Sequence, residues 1–315
     1  MKHIFIINPK AGKKDISNDV ITKLREYKGE FTYKIYITSH KFDALYYIKD
    51  LCANLKEETT FYACGGDGTL NEVVNGVIGC KLAYVACFPS GSGNDFIKVF
   101  GKKEDFLNLD SLINGKPRMI DAIKVNNRYT INICNLGFDA FVADNMIKFK
   151  NKPFIKGKTA YSVAVFYSLL FKMKTKCKIT VDNNIVLDDF ILLASFANGN
   201  WYGGGYHCAP RAKVNDGLVD VCIAKAMSRF SFISMIKKYK LGVHLDDPKT
   251  MQHLTYLQGK KIEISSEKDI IYCLDGEVDK SNSINIEVCE NAINFIIPQN
   301  LSWLKMINGI LYCIW

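Results

Sequence analysis

The first third of the chain alternates between strand and helix periods, and that alternation narrows the folds open to it. His3–Asn8 is an apolar run ending in a turn signal, Asn8-Pro9-Lys10-Ala11-Gly12. Helical spacing follows near Ser17–Tyr27, then a strand over Tyr33–Thr38 and a helix over Phe42–Leu55. Phe61–Cys64 is a third strand and runs directly into Gly65-Gly66-Asp67-Gly68-Thr69. A helix over Leu70–Val77 and a strand over Leu82–Phe88 complete the series. Such alternation predicts a parallel sheet covered on both faces. Ligands of these sheets bind at the carboxyl ends of the strands, and the glycine loop falls at one such end.

After Lys116-Pro117 the period changes. Met119–Val125 and Tyr129–Cys134 read as a hairpin around Asn126-Asn127, and Lys178–Val181 with Ile185–Leu187 as another. Further strands are expected over Phe190–Phe196, Leu218–Ala224, Lys261–Ser265, Ile270–Leu274, Ile284–Val288 and Ile293–Ile297, with helices near 159–172 and 229–241. The expected architecture is an α/β domain over 1–117, then a mostly antiparallel β-sandwich over 118–291. The tail 292–315 is expected to pack back on the first domain. Its apolar positions at 301, 304, 307, 311 and 314 have helical spacing, read as packing rather than as a membrane anchor.

A chain of 315 residues, 48% hydrophobic and 23% charged, has material for two cores and is not of disordered composition. Its 11 cysteines include no C-x-x-C pair, and no signal peptide opens the chain, so reduced thiols in a cytoplasmic protein are expected. No apolar run is long enough for a transmembrane segment. Net charge is +9, and nine lysines between Lys148 and Lys178, with no acid among them, account for all of it. That run reads either as a solvated face or as a contact for a polyanion, a membrane surface included. No nucleic-acid-binding motif accompanies it.

A glycine loop between strand and helix leaves backbone N–H groups to point at phosphate, and the helix N-terminus adds partial positive charge. Gly65, Gly66 and Gly68 have that setting. Glycine alone signals no more than a turn. Asp67 sharpens it, because a carboxylate beside phosphate is repelled unless a divalent cation lies between them. The loop therefore reads as a Mg²⁺-nucleotide site, with Asp67 on the metal and Thr69 as helix cap or phosphate donor. Competing motifs fail. Gly157-Lys158-Thr159 imitates the end of a Walker A loop, but Lys152 stands where that motif needs glycine. There is no H-E-x-x-H, and His207-Cys208 reads as packing.

Gly65–Asn75, reading GGDGTLNEVVN, and Pro89–Phe96, reading PSGSGNDF, resemble the catalytic domain of the diacylglycerol kinase family. Within it the match is to the bacterial branch of soluble lipid kinases, similar to diacylglycerol kinase B and related to sphingosine and ceramide kinases. The resemblance covers nearly the whole chain, from Asn8-Pro9-x-x-Gly12 through Asp121 and Asn215-Asp216-Gly217-Leu218 to Asp275-Gly276-Glu277. It implies ATP contacts at Asn8, Pro9, Lys10, Ala11, Gly12, Thr38, Gly65, Gly66, Asp67, Gly68, Thr69, Leu70, Asn71 and Ser92. Ser92 stands where many relatives have threonine and keeps the hydroxyl. The resemblance makes Glu277 the general base, with Asp275 beside it. It places Asp67 and Asp121 around a catalytic Mg²⁺, and Lys213, Asp216 and Leu218 at a structural Mg²⁺. Plainer readings stand beside these: Asp275-Gly276 and Asp216-Gly217 as turns, and Asp121 as a hydrogen bond at a strand end.

The resemblance implies transfer of the γ-phosphate of ATP to a lipid hydroxyl, with diacylglycerol converted to phosphatidic acid. The implied partners are a lipid substrate at an anionic membrane surface, with peripheral association, and a homodimer is left open. An NAD kinase shares the G-G-D-G-T core. Asn71-Glu72, Pro89–Asp95 and the D-G-E triplet favour the lipid branch. A non-catalytic nucleotide- or membrane-binding protein on the same fold is the rival of another class.

Overall fold

The computed structural model describes residues 1–12, 15–150, 158–171, 173–299 and 301. Lys152, Lys156 and Lys172 of the lysine run, and the helix expected beyond Leu301, lie outside the described residues. The chain divides into two compact units, Met1–Asp121 with the segment from Glu290, and Ala122–Cys289.

The first unit opens with β1 (Lys2–Ile7), α1 (Ser17–Glu26), β2 (Tyr33–Ile37), α2 (Asp43–Ala53), β3 (Thr59–Gly65), α3 (Asp67–Val77) and β4 (Ala83–Pro89). Two short helices, α4 (Lys103–Phe106) and α5 (Leu109–Ile113), lead into β5 (Lys116–Val125). The sheet runs β2-β1-β3-β4 with every pair parallel. The far edge of β4 pairs, also in parallel, with Asn294 and Phe295 near the end of the chain. All seven residues of β3 are buried, as expected of a strand covered on both faces. α2 and α3 pack so closely that a Cβ on Gly76 would stand 2.7 Å from the Ile48 side chain.

The second unit contains β6 (Arg128–Thr130), β7 (Ile133–Gly137), α6 (Phe138–Lys150), α7 (Lys158–Phe171), β8 (Thr175–Val181), β9 (Asn184–Ala197) and β10 (Val219–Lys225). It continues through α8 (Arg229–Leu241), α9 (Pro248–Met251), β11 (Leu254–Gly259), β12 (Lys261–Leu274) and most of β13 (Glu277–Ile297). Its strand pairs are antiparallel. Each of the long strands β9 and β12 pairs with β8 along one part and β7 along another. Alternation along β10 serves two cores. Val221 and Ile223 face the sandwich interior with Ile179, Phe196 and Ile264. Cys222 and Ala224 face the helices, against Phe232 and Tyr239 of α8.

The architecture is the expected one, a parallel α/β unit and a β-sandwich, with three departures in detail. The second arm of the expected 119–134 hairpin is split. Arg128–Thr130 stays on β5, while Ile133–Gly137 joins β9 and β12. The break is local: the Thr130 hydroxyl accepts the Asn132 N–H at 3.0 Å and removes it from the ladder. Pairs of expected strands are merged into β9, β12 and β13. α6 and β11 were not anticipated. As expected, the His207-Cys208 pair is packing: His207 stacks on Trp201 with ring centroids 4.0 Å apart, and Cys208 is buried.

Candidate functional site

The first unit gathers its conspicuous loops by topology. Because β1 to β4 are parallel, Asn8–Gly12, Thr38, Gly65–Asn71 and Ser90–Asp95 all leave the same end of the sheet. Hydrogen bonds tie them together. The Asn8 side-chain amide donates to the Thr69 hydroxyl at 3.1 Å, and the Asn8 carboxamide oxygen accepts the Lys10 N–H at 3.0 Å. Thr38 donates its N–H to the Ile7 carbonyl at 2.9 Å. The Gly65 carbonyl accepts from Ser90 N–H at 2.8 Å, Gly91 N–H at 3.2 Å and the Asn94 amide at 3.2 Å.

Two glycine loops meet backbone to backbone. A Cβ on Gly91 would stand 2.5 Å from the Gly66 Cα, nearer than nonbonded carbons approach. Gly91→Ala is expected to cost about 2–4 kcal/mol, because the obstruction is main chain that cannot rotate away. Urea unfolding checks this, and an unchanged midpoint would refute it.

Gly68 differs. It is exposed at the start of α3, and a Cβ there would meet nothing within 4 Å. No side chain caps α3, whose N-cap is Gly66. The helix start therefore presents main-chain donors and its dipole at the end of the sheet where ligands of such folds bind.

Asp67 accepts the Asp95 N–H at 2.7 Å. Its other oxygen and an Asp95 oxygen lie 2.8 and 3.3 Å from where a Gly93 Cβ would stand, so the two carboxylates bracket Gly93. Lys98 pairs with Asp95, and Lys103 donates to the Gly91 carbonyl at 3.0 Å. Among the described residues no group of three His, Cys, Asp or Glu side chains forms a metal site. Asp121 is buried, and one of its oxygens accepts the Asn291 N–H at 2.7 Å, where Asn291 is left-handed. Ser92 is exposed.

In the second unit Asp275 (φ 46°) and Gly276 (φ 92°) make the two-residue turn from β12 to β13, which pairs Leu274 with Glu277. The Asp275 carboxylate accepts the Thr130 hydroxyl and the Ile133 N–H, so it anchors the turn that carries Glu277. Lys213 and Asp216 are exposed and Leu218 half-buried on one turn. An Asp216 oxygen accepts the Leu218 N–H at 3.2 Å around left-handed Gly217.

Asn94 and Asp95 stand out in the sequence only as part of PSGSGNDF, with no role of their own, and Lys98 and Lys103 do not stand out at all. The Ser90–Asp95 loop is evident in the sequence, but its links to Gly65 and Asp67 depend on strand order. Asp139 also carries no sequence signal, because an acid in the first turn of α6 reads as a helix-start residue. Burial raises the Asp139 carboxyl to about 6, against the opposing effect of the Tyr202 hydroxyl that donates to it. An acid with a raised folded-state value costs stability once ionised, so this cost appears as pH rises from about 4 through 6. Asp139→Asn should therefore stabilise by about 2 kcal/mol more near pH 7.5 than near pH 4. Thermal unfolding at both pH values checks the sign.

The diacylglycerol kinase catalytic domain model matches residues 2–125, and the YegS C-terminal NAD kinase beta sandwich-like domain model matches residues 132–297. The chain is 30% identical to a diacylglycerol kinase of Bacillus subtilis (strain 168), over 86% of this chain and 88% of that one. It is 32% identical to a protein of Shewanella frigidimarina (strain NCIMB 400) named "Probable lipid kinase YegS-like", over 75% of each. A crystal structure of a diacylglycerol kinase from Bacillus anthracis str. Sterne superposes with TM-score 0.69 at 20% identity, over 94% of this chain and 96% of that one. That likeness is one of fold. With both units matched in order, the chain belongs to the diacylglycerol kinase catalytic-domain family of lipid kinases.

Proposed function

We propose that the protein transfers the γ-phosphate of ATP to the hydroxyl of a neutral lipid, diacylglycerol foremost. The observation that carries this is the paired glycine loop: Gly66 against Gly91, with the uncapped, unobstructed start of α3 beside them. That arrangement suits the phosphates of a nucleotide, with Asn8–Gly12, Thr38 and Ser92 at the same end of the sheet. The Bacillus subtilis relative's name supplies diacylglycerol as the first acceptor to try.

The donor set fits a Mg²⁺ ion. Asp67, with Asp95 next to it, offers carboxylate oxygens, and Mg²⁺ commonly takes one or two carboxylates and completes its shell with phosphate and water. When bound, the ion would neutralise phosphate charge. Asp121 supports β13 at Asn291 in this reading, rather than reaching a metal. Lys213, Asp216 and Leu218 keep their proposed role at a structural cation, with the Asp216 turn shaping the loop. On the acceptor side Glu277 takes the proton of the lipid hydroxyl, and Asp275 holds the turn that orients it. The first unit is then the nucleotide unit, and the sandwich carries the acceptor machinery.

The test is ADP release with Mg²⁺-ATP against a panel of detergent-dispersed lipids, with NAD as the rival acceptor. Turnover is expected with diacylglycerol and none with NAD. Phosphorylation of NAD, or no lipid-dependent turnover across the panel, would sink the reading.

A further inference from the structure

The described cysteines are of two kinds. Seven are buried, among them the neighbouring pairs Cys64 with Cys87, Cys134 with Cys273 and Cys208 with Cys222. Burial pushes those thiols up, which keeps them protonated and inert. Cys52 and Cys80 instead combine partial exposure with direct contact. Cys52 lies in the last turn of α2, and Cys80 in the connection from α3 to β4. The Cys80 Sγ donates to the Cys52 carbonyl at 4.0 Å, and the Cys52 thiol hydrogen-bonds in turn to Cys80. Burial first, and then that hydrogen bond, push the Cys52 thiol up to about 12.

The backbone holds this contact in place. Left-handed Gly79 (φ 81°) follows α3 and turns the chain. The Cys80 N–H donates to the Val77 carbonyl at 2.9 Å, and the Cys80 carbonyl accepts the Ala83 N–H at 3.2 Å. α2 and α3 are also fastened to each other earlier along their length. The Phe42 N–H donates to the Glu72 side chain at 2.9 Å, and Gly76 packs on Ile48. The helices therefore run side by side in one direction, and the thiols meet past their last turns. α3 starts at the glycine loop and has 11 residues, so the thiols lie about 15–20 Å from Gly66.

We infer that Cys52 and Cys80 form a thiol–disulfide site, at which hydrogen peroxide joins the end of α2 to the α3–β4 connection. The Cys80 thiolate attacks one peroxide oxygen, the O–O bond breaks, and hydroxide leaves and takes up a proton as water. Cys80 is then a sulfenic acid. The Cys52 sulfur attacks the Cys80 sulfur, the S–O bond breaks as the S–S bond forms, and the departing hydroxide takes the Cys52 proton as a second water. Two thiols and one peroxide become one disulfide and two waters, the sulfurs giving up the two electrons that the peroxide gains. Cys80 acts first because the Cys52 thiol is held protonated. The new bond closes the loop from 52 to 80 and so restricts the unfolded chain. It strengthens the first unit at the helix ends farthest from the glycine loops and does not obstruct them. The inference goes beyond the kinase reading and does not rest on it.

The experiment treats the reduced full chain with hydrogen peroxide, maps its peptides by mass spectrometry without reductant, and follows thermal unfolding. The expected product is a peptide pair joined through Cys52 and Cys80, lighter by two hydrogens than its reduced parts and separated again by dithiothreitol. The thermal midpoint should rise by about 5–10 °C on oxidation and return on reduction. Cys80→Ser should lose both the cross-link and the rise. Cys52→Ser should leave Cys80 as a sulfenic acid that dimedone labels, because the thiol that resolves it is gone. The peptide map of the unaltered chain decides the matter even where a serine variant folds poorly. Peroxide that leaves both thiols reduced, or that joins either one to another cysteine or to a second copy of the chain, overturns the inference. A cross-link between Cys52 and Cys80 that lowers the midpoint overturns it as well. All of these readouts are taken without ATP or lipid, so their failure leaves the proposed kinase function standing.

Discussion

Replacing Glu277 with glutamine is expected to lower kcat by about 10²- to 10⁴-fold, the usual contribution of a positioned general base. The change keeps the length and shape of the side chain and removes its capacity to accept a proton. Glu277 is half-buried at the first position of β13, beyond the Asp275-Gly276 turn. The turn itself is held by Asp275, through Thr130 and Ile133, so the backbone should not move. The thermal midpoint should stay within a few degrees, and the KM for ATP should be little changed. A kcat within a factor of ten of the parent, with the fold intact, would remove Glu277 from the chemistry. Asp275→Asn should act differently. It weakens the anchor, so any loss of kcat should come with a measurable loss of stability.

Gly68→Ala should separate folding from binding on the donor side. A methyl group at this exposed position meets no protein atom within 4 Å, and alanine favours a helix over glycine by about 0.5–1 kcal/mol. Stability should therefore be unchanged or slightly raised. The same methyl group would stand among main-chain N–H groups proposed to meet phosphate. Loss of one hydrogen bond to a charged group, about 1.5–3 kcal/mol, corresponds to roughly a 10- to 100-fold rise in the KM for ATP. Nucleotide titration and thermal unfolding on the same variant read the two effects apart. Undiminished ATP affinity would move the phosphates elsewhere. The contrast with Gly91→Ala is informative, because there the methyl group collides with main chain and the fold itself should suffer.

How far such sites can be read from sequence varies with the kind of contact. β1, β3 and β4 contain the uninterrupted apolar runs Ile4–Ile7, Phe61–Cys64 and Ala83–Phe88, so both their existence and their parallel arrangement were legible. The glycine loops were legible as loops, but the reason for Gly66 and Gly91 was not. It lies in an approach between residues from different strand ends. The second unit hid its long strands behind polar interruptions. Asp188-Asp189 lies inside β9, and the 266–269 segment lies inside β12, where the register shifts between Ser265 and Ile270. Asn291 takes a left-handed conformation inside β13. A bulge or bend lets a strand continue through residues that, read singly, end one. α6 begins directly after Gly137 with no turn sequence between, so nothing marked its start.

The parallel pairing of Asn294 and Phe295 with β4 bears on how the molecule comes into being on the ribosome. The Asn294 side chain reaches the Ala83 carbonyl across 211 residues of chain. The last position of the first sheet is therefore filled by nearly the last described segment to be synthesised, after the whole sandwich has emerged. Until then β4 has an open edge with its backbone groups unpaired, the kind of edge on which nascent chains associate wrongly. Contacts this distant in sequence also slow folding. The glycine loops are complete in sequence early in translation, yet the sheet that carries them is finished only after the whole sandwich has been made.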